Sequence, residues 1–547
     1  MLDHCTTEKM VTWRTGCGLR ASRIGVWLGL LFALAALAQE APPAATLAEL
    51  QQRLGALVNQ PQFAAALWGV KVVSLDTGQV LFEHNAKKLF SPASNSKLYT
   101  VALALDRLGA DYRIRTSLNA RAKPNHRGTL KGDLIVYGRG DPSFNARLHG
   151  GDVFQALEPL VAALTNAGVK RITGDLVGDA SFLRGPEFGS GWDWDDLEAY
   201  YGAEISALTI NDNALPVMVK PGEKVGDPCR LLLTPATCYL TLSNRTETVA
   251  KGSRRSIRFY RPITGNLVYV SGTMPADDPG YTEDVTLHNP AGLFIALFQE
   301  ALARHGVKVR GRLRTVDWLK RAPPRLVAAG DGPGGPESPA APPLATDERS
   351  PAGALVELGF VESPPMRELA REVEKPSQNL YADLLLAQVG EHTRTGQTRA
   401  DATSEDLGIA ELNRFLNQAG VAKGDVLFEE GSGLSRNNLT TPAATVALLQ
   451  YMSRHPCAAA YAEALPIAGV DGTLRNRMKG TVAANNLRGK TGTLRWANSL
   501  SGYVTTAAGE RLAFSFMLNR YHNPGSSARA DLDALAVMLA GFTGRSG

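Results

Sequence analysis

A chain of 547 residues is longer than one hydrophobic core organises, and at roughly 150 residues per domain it implies about three units. With 44% apolar residues and 20% charged residues its composition is globular. The net charge is only +5, four of the basic residues (Lys9, Arg14, Arg20, Arg23) precede position 24 against Asp3 and Glu8, and no basic stripe with interleaved aromatics follows, so nucleic acid is excluded as the expected partner.

The first element is an uncharged apolar run from Ile24 to Ala38, ending Ala36-Leu37-Ala38 before Gln39. Basic residues followed by such a run and an A-x-A site read as a secretory signal peptide over 1–38. The run is shorter than the roughly 20 residues that cross a bilayer, so a retained anchor is the lesser reading. No Cys follows the cleavage site, which disfavours a lipoprotein, and no later stretch is long enough to span. The mature protein is therefore expected to be periplasmic, secreted or cell-wall-facing, with no stable membrane span after signal removal. Removal of Cys5 and Cys17 leaves Cys229, Cys238 and Cys457. In an oxidising compartment Cys229 and Cys238, flanking the strand-like Leu231-Leu232-Leu233, are candidates for a local disulfide; the alternative is that all three are free and buried.

A helical lead-in over Thr46 to Val58 precedes a strand from Leu67 to Leu75, a turn at Asp76-Thr77-Gly78 and a returning strand from Gln79 to Glu83, which together form a hairpin. After Ser91-Pro92-Ala93, apolar residues at Leu98, Ala102, Leu105 and Leu108 follow helical spacing up to Gly109. Residues from about 115 to 320 change character, with short strands such as Asp133 to Tyr137 and Ile172 to Val177 and a helix over Val153 to Ala167. In that region Lys251, Arg254, Arg255 and Arg258 read as a solvated strand or loop edge. The segment 322–353, with Gly332-Pro333-Gly334-Gly335-Pro336, reads as a linker. Then come a strand (Ala354 to Val361), a helix (Met366 to Val373), a second helix beginning at Ser377, strands over Leu487 to Leu494, Leu500 to Thr505 and Arg511 to Leu518, and a closing helix (Ala530 to Leu539). The hairpin and the C-terminal strands are expected to complete one antiparallel sheet flanked by helices, an α/β (α+β) catalytic domain split by an insertion. The expected divisions are 39–114 and 354–547 for the catalytic domain, 115–140 and 218–321 for one insertion domain, and 141–217 for a domain nested within it.

Three short motifs occur in this framework in order: Ser94-Asn95-Ser96-Lys97, Ser377-Gln378-Asn379 and Lys490-Thr491-Gly492. S-x-N recurs at Ser117, Ser143 and Ser435 and says little alone, whereas S-x-x-K and K-T-G occur once each. The ordered trio is the catalytic set of serine acyl-transferring enzymes that react with penicillin. A serine hydroxyl attacks only when a base takes its proton. Lys97, one helical turn from Ser94, is that base if burial and a second cation, Lys490, lower its pKa. Ser377 is expected to pass a proton to the leaving amine and Asn379 to orient the lysine or a substrate amide. Thr491 and Thr493 supply hydroxyl donors, Gly492 lets the strand backbone lie close, and the backbone N–H groups of Ser94 and Thr493 meet the oxyanion.

The trio, with Gly431-Ser432-Gly433-Leu434-Ser435, Gly469-Val470-Asp471-Gly472-Thr473-Leu474 and the long insertion between Lys97 and Ser377, resembles the serine D-alanyl-D-alanine carboxypeptidase/endopeptidases of the low-molecular-mass class C penicillin-binding proteins. The resemblance covers nearly all of the mature chain. It implies a penicillin-binding/serine β-lactamase-like fold with a nested insertion of mainly β and α+β domains, peptidoglycan peptides as substrate, β-lactam antibiotics as acylating inhibitors, and neither metal nor organic cofactor. Segment 191–201 is similar to a family segment that reaches toward the active site, and Asp196 and Tyr201 are its candidates for a peptide side chain ending in an amino group; the competing reading is a tryptophan-stiffened loop packing on its own domain. The rivals are a β-lactamase, which the size of the insertion opposes, and an idle penicillin-binding wall or sensor protein, which the intact motif set opposes. Gly489-Lys490-Thr491 resembles a P-loop tail, but Ala484 stands where a glycine is required. Scattered histidines argue against a metallopeptidase.

Overall fold

A computed structural model describes residues 42–321, 355–521 and 527–547. The expected signal segment and Pro/Gly-rich linker lie outside these residues. The hairpin and C-terminal strands form one antiparallel five-stranded sheet in the order 488–494, 497–505, 511–519, 67–74, 80–84. Arg511–Asn519 and Leu67–Ser74 are buried on both faces, which is why they read as nearly continuous apolar runs, whereas the edge strand Val80–His84 alternates with solvent. On one face Trp68, Val70, Val72, Phe514 and Phe516 pack against the helices Leu47–Val58 and Ala528–Ala540. On the other, Val73 and Ala513 share a core with the helix Ser96–Leu108 and with Leu380, Leu384, Phe415 and Leu448 from later helices. Each fully buried Leu of these cores contributes about 1.5–3 kcal/mol.

The helix Ser96–Leu108 ends at Gly109 as its spacing predicts, and residues 96–105 are buried on every side. An apolar helix buried all round is a core element, so Ser96, Lys97 and Thr100 within that stretch are exceptions that require partners. The insertion builds its own five-stranded sheet, ordered 313–316, 176–179, 134–137, 115–120, 356–362, with its first three strands parallel and the others antiparallel. The helices Val153–Asn166 and Pro290–Arg304 pack on it, each begun by an Asp152 or Asn289 side chain that accepts from the first-turn backbone. Among the described residues three three-stranded sheets complete the insertion, one of them made of the short strands 308–309, 171–172 and 129–130.

Several expectations are corrected. The strand read over Ile172 to Val177 is two strands, Arg171–Ile172 and Leu176–Asp179, in different sheets, because Gly174 N and Asp175 N turn away to Gly132 O and Asp133 Oδ1. The strand Val356–Glu362 pairs with Arg115–Ala120, so it belongs to the insertion's sheet and not to a catalytic part resuming at 354. Leu134, Leu157, Leu160, Ile210, Val217 and Phe294 lie in one continuous core, so segment 141–217 shares its interior with the flanking insertion segments. Cys229, Cys238 and Cys457 are all free. Cys229 is buried, its Sγ 3.8 Å from Thr248 Oγ1, while Cys238 is exposed, so neither the proposed disulfide nor uniform burial describes them. Residues 251–258 are largely exposed, as read. Among the described residues no helix is long and apolar enough to cross a membrane.

Candidate active site

Ser94 lies on a 3-10 turn, Ala93–Asn95, that feeds directly into the helix Ser96–Leu108. Ala93 has φ +49°, a conformation disfavoured for a residue with a Cβ. That turn is held from two sides by close backbone approaches. A Cβ on Gly492 would fall 2.4 Å from Pro92 O and 2.2 Å from Ser499 Oγ, and one on Gly433 would fall 2.0 Å from Ala93 O. Glycine at both positions is therefore what lets the K-T-G strand and the Gly431–Gly433 loop abut the serine turn.

Lys97 is fully buried, and its Nζ donates to Ser94 Oγ (3.0 Å), Asn379 Oδ1 (2.6 Å) and Ser432 O (2.6 Å). The latter two atoms can only accept. A neutral amine has two N–H groups, and these two acceptors take both, so its lone pair faces the Ser94 hydroxyl. Burial lowers the Lys97 pKa to about 8, with Glu430, Asp383 and Glu374 opposing that fall. Lys490, also fully buried, donates to Ser377 Oγ (2.7 Å) and to Thr491 O (3.0 Å). Its pKa is lowered to about 7 by burial and by the Lys97 charge, against the pull of Glu374. Ser377 has φ +66° and precedes the helix Asn379–Thr393.

Ser94, Ser377, Thr491 and Thr493 line a single cleft of about 810 Å³ together with Arg147, Lys375, Thr473 and Arg475. Thr493 is exposed, its Oγ1 3.4 Å from Asn498 Oδ1, and Thr491 Oγ1 is 2.8 Å from Thr473 Oγ1 in the accessory stretch 469–474. Asp196 and Tyr201 are neighbours on the insertion segment. The Asp196 carboxyl is buried, accepts from Asp193 N (3.2 Å) and is pushed up by desolvation; Tyr201 is about half exposed, and its partial burial together with Asp196 raises its hydroxyl. The Tyr201 carbonyl accepts from Asn379 Nδ2 (2.9 Å), so the segment touches the S-x-N motif.

Three buried carboxyl groups around the lysines escaped the motif reading. Glu374 is wholly buried with no hydrogen-bond partner among the described residues for either oxygen, and desolvation raises it to about 7 against the pull of Lys490 and Lys97. Its signal was periodicity. Met366, Leu369, Ala370 and Val373 make an apolar stripe at i, i+3, i+4 and i+7, and Glu374 occupies i+8 on that buried face. Glu430 accepts from Ser432 N (2.9 Å), Gly433 N (2.7 Å), Asn438 Nδ2 (2.7 Å) and the Ser432 hydroxyl, shaping the loop whose carbonyl receives Lys97. Asp383, in a helix buried along most of its length, accepts from Gly431 N (2.9 Å) and is driven well above the carboxylate range by burial and by Glu430.

The profile of the D-Ala-D-Ala carboxypeptidase 3 (S13) family matches residues 50–330 and 347–540. The chain is similar to a D-alanyl-D-alanine carboxypeptidase of Actinomadura sp. (strain R39), 34% identical over 512 residues that cover 91% of this chain and 86% of that relative. It is also similar to the D-alanyl-D-alanine carboxypeptidase DacB of Haemophilus influenzae, 25% identical over 451 residues covering 82% and 84% of the two chains. The fold is shared with the crystal structure of penicillin binding protein 4 (dacB) from Haemophilus influenzae, with a TM-score of 0.71 at 24% identity, over 89% of this chain and 99% of that one. A second structure of that protein, complexed with a novel β-lactam, aligns with a TM-score of 0.65 at 23% identity, over 88% and 97% of the two chains. Motifs, fold and similarity over most of the length agree: the chain belongs to the D-Ala-D-Ala carboxypeptidase 3 (S13) family and is a serine-type D-Ala-D-Ala carboxypeptidase.

Proposed function

We propose that this carboxypeptidase removes the terminal D-Ala of peptidoglycan stem peptides, and cleaves D-Ala-containing cross-links, through an acyl-enzyme on Ser94. The observation that carries the reading is the aim of Lys97, whose two acceptor-only partners leave its lone pair for the Ser94 hydroxyl 3.0 Å away. In acylation Lys97 takes the Ser94 proton as Oγ attacks the scissile carbonyl. The oxyanion forms against the backbone N–H groups of Ser94 and Thr493, each such donor contributing about 2.7–4 kcal/mol. The leaving amine receives its proton from Ser377 Oγ, which Lys490 resupplies across 2.7 Å. Water then attacks the ester, giving its proton to the same groups in reverse, and Ser94 is regenerated.

The hydroxyls of Thr491 and Thr493 are assigned to the departing carboxylate. Asp196 and Tyr201 are assigned to an amino group on the stem-peptide side chain, as in diaminopimelate; an acid beside an aromatic ring, next to Asn379, supports this. β-Lactams, whose carbonyl offers the same electrophile, acylate Ser94. The substrate lies outside the cytoplasmic membrane, and there the enzyme acts, in the periplasm or facing the wall. Incubation with fluorescent penicillin is expected to label the wild type and leave Ser94→Ala unlabelled. Label on both, or on neither, removes the mechanism.

A further inference from the structure

The second and third residues of the S-x-N motif are held by the insertion, and by polar contacts. Asn379 donates from Nδ2 to the Tyr201 carbonyl (2.9 Å), and Gln378 donates from Nε2 to the Tyr200 hydroxyl (2.7 Å). The Tyr200 hydroxyl in turn donates to Asp212 Oδ2 (2.5 Å), and Asn145 donates to the other oxygen of Asp212. Gln378, Asn379, Asp212 and Asn145 are all buried, so these bonds are shielded from competing water. Asp212 is the middle of three successive left-handed residues, Asn211, Asp212 and Asn213, with φ of 50°, 57° and 55°. Asn and Asp are the non-glycine types that tolerate this conformation, and it turns the Asp212 carboxyl toward Tyr200.

A carbonyl oxygen can only accept, so the Tyr201 carbonyl dictates which end of the Asn379 amide faces it. The other end, Oδ1, is thereby turned to Lys97 at 2.6 Å. Without that constraint the amide is free to flip and present an NH₂ group to the lysine, which would compete for the lone pair that Ser94 needs. We infer that the insertion is part of the acylation machinery: the Tyr200–Tyr201 turn, anchored on Asp212, positions Gln378 and Asn379 and through Asn379 aims Lys97 at Ser94. Tyr200, Asp212 and Gln378 are thus positioning residues, acting through Asn379 and touching no reacting atom. This rests on the proposal that Lys97 is the base for Ser94.

The test uses the full mature chain and Tyr200→Phe, Asp212→Asn and Gln378→Met. Stopped-flow labelling with fluorescent penicillin separates the dissociation constant of the first complex from the acylation rate constant, over a range of pH. A misaimed base slows the chemical step and leaves binding alone. The rate constant is therefore expected to fall about tenfold or more in each variant while the Kd stays within about twofold, since small misplacements of a catalytic group cost that much. Acylation rate constants equal to wild type at every pH, in variants whose melting temperature has dropped, would show a merely structural contact and overturn the inference. Should Tyr200→Phe fail to fold, Gln378→Met gives the same reading from the catalytic side. Ser94→Ala separates the two levels: label on that variant defeats the underlying mechanism, whereas an unlabelled Ser94→Ala beside fully active clamp variants defeats only the role of the insertion.

Discussion

At the scale of single residues, the site is unusual in burying two lysines beside a carboxyl group that no hydrogen bond from the described residues satisfies. Burial lowers both lysines, the Lys97 charge adds to the fall of Lys490, and Glu374 works against that fall in each. Replacing Glu374 by Gln removes the negative charge and keeps the shape. Both lysine pKa values then drop further. Because the base must be neutral, the acid limb of acylation follows the deprotonation of the lysine pair, and it is expected to move to lower pH in Glu374→Gln. The limbs belong to the coupled pair and not to either lysine. Penicillin acylation rates between pH 5 and 9 read this out; an acid limb that stays at its wild-type position rules out Glu374 as the tuning charge.

At the scale of elements, the K-T-G strand must touch the turn that carries Ser94, and Gly492 is the contact. In Gly492→Ala the new Cβ meets Ser499 Oγ and Pro92 O well inside van der Waals distance, and Pro92 O, a backbone atom, cannot yield without moving the serine turn or pushing the strand away. Overpacking of this kind costs about 1–3 kcal/mol. The larger effect is expected on acylation, about a hundredfold or more, since the displaced strand carries Lys490 and Thr493 away from Ser94. A variant that acylates at wild-type rate removes the close approach from the mechanism.

What was legible in the sequence follows from the same geometry. The helix after Pro92, the hairpin and the three C-terminal strands were readable because their apolar spacing is local and their stops, such as Gly109, are single residues. The motif lysines and serines were readable because each sits at a fixed offset from an element end. The partner of Val356–Glu362 was not, since a strand's period says nothing about which distant strand it joins. Nor was the break at Thr173–Asp175, made by hydrogen bonds to Gly132 and Asp133 some forty residues earlier. Glu374 continues its helix's apolar stripe, but local spacing does not show its burial, because burial of a charge is decided by the tertiary core. The carbonyls of Ser432 and Tyr201, which orient Lys97 and Asn379, have no side-chain signature at all.

For the whole molecule, folding brings together groups that the unfolded chain keeps apart in water, and their altered pKa values make stability depend on pH. Glu374 keeps its proton in the folded state up to about pH 7, against an ordinary value of 4.5, so the stability tied to it is present below pH 4.5 and lost as pH rises through 7. The lysines act in the opposite sense. Their ordinary value of 10.5 is lowered to about 8 for Lys97 and about 7 for Lys490, so the stability tied to them is present above 10.5 and lost as pH falls through those values. The site is therefore at its most costly near neutrality, where the proposed mechanism has one lysine accept a proton and the other give one. Lys490→Met isolates the effect. At pH 7 and below, the wild type carries a buried ammonium that the variant lacks, and the variant is expected to unfold at higher urea concentration, by on the order of a few kcal/mol. As pH rises toward 10 the folded wild-type lysine is neutral and the unfolded one begins to lose its proton, so that advantage shrinks. Urea midpoints of the two proteins at pH 6, 8 and 10 measure it, with acylation lost in the variant throughout. A stability difference that is constant with pH would mean that Lys490 carries no desolvation penalty in the folded protein, and the proton relay to Ser377 would lose its physical basis.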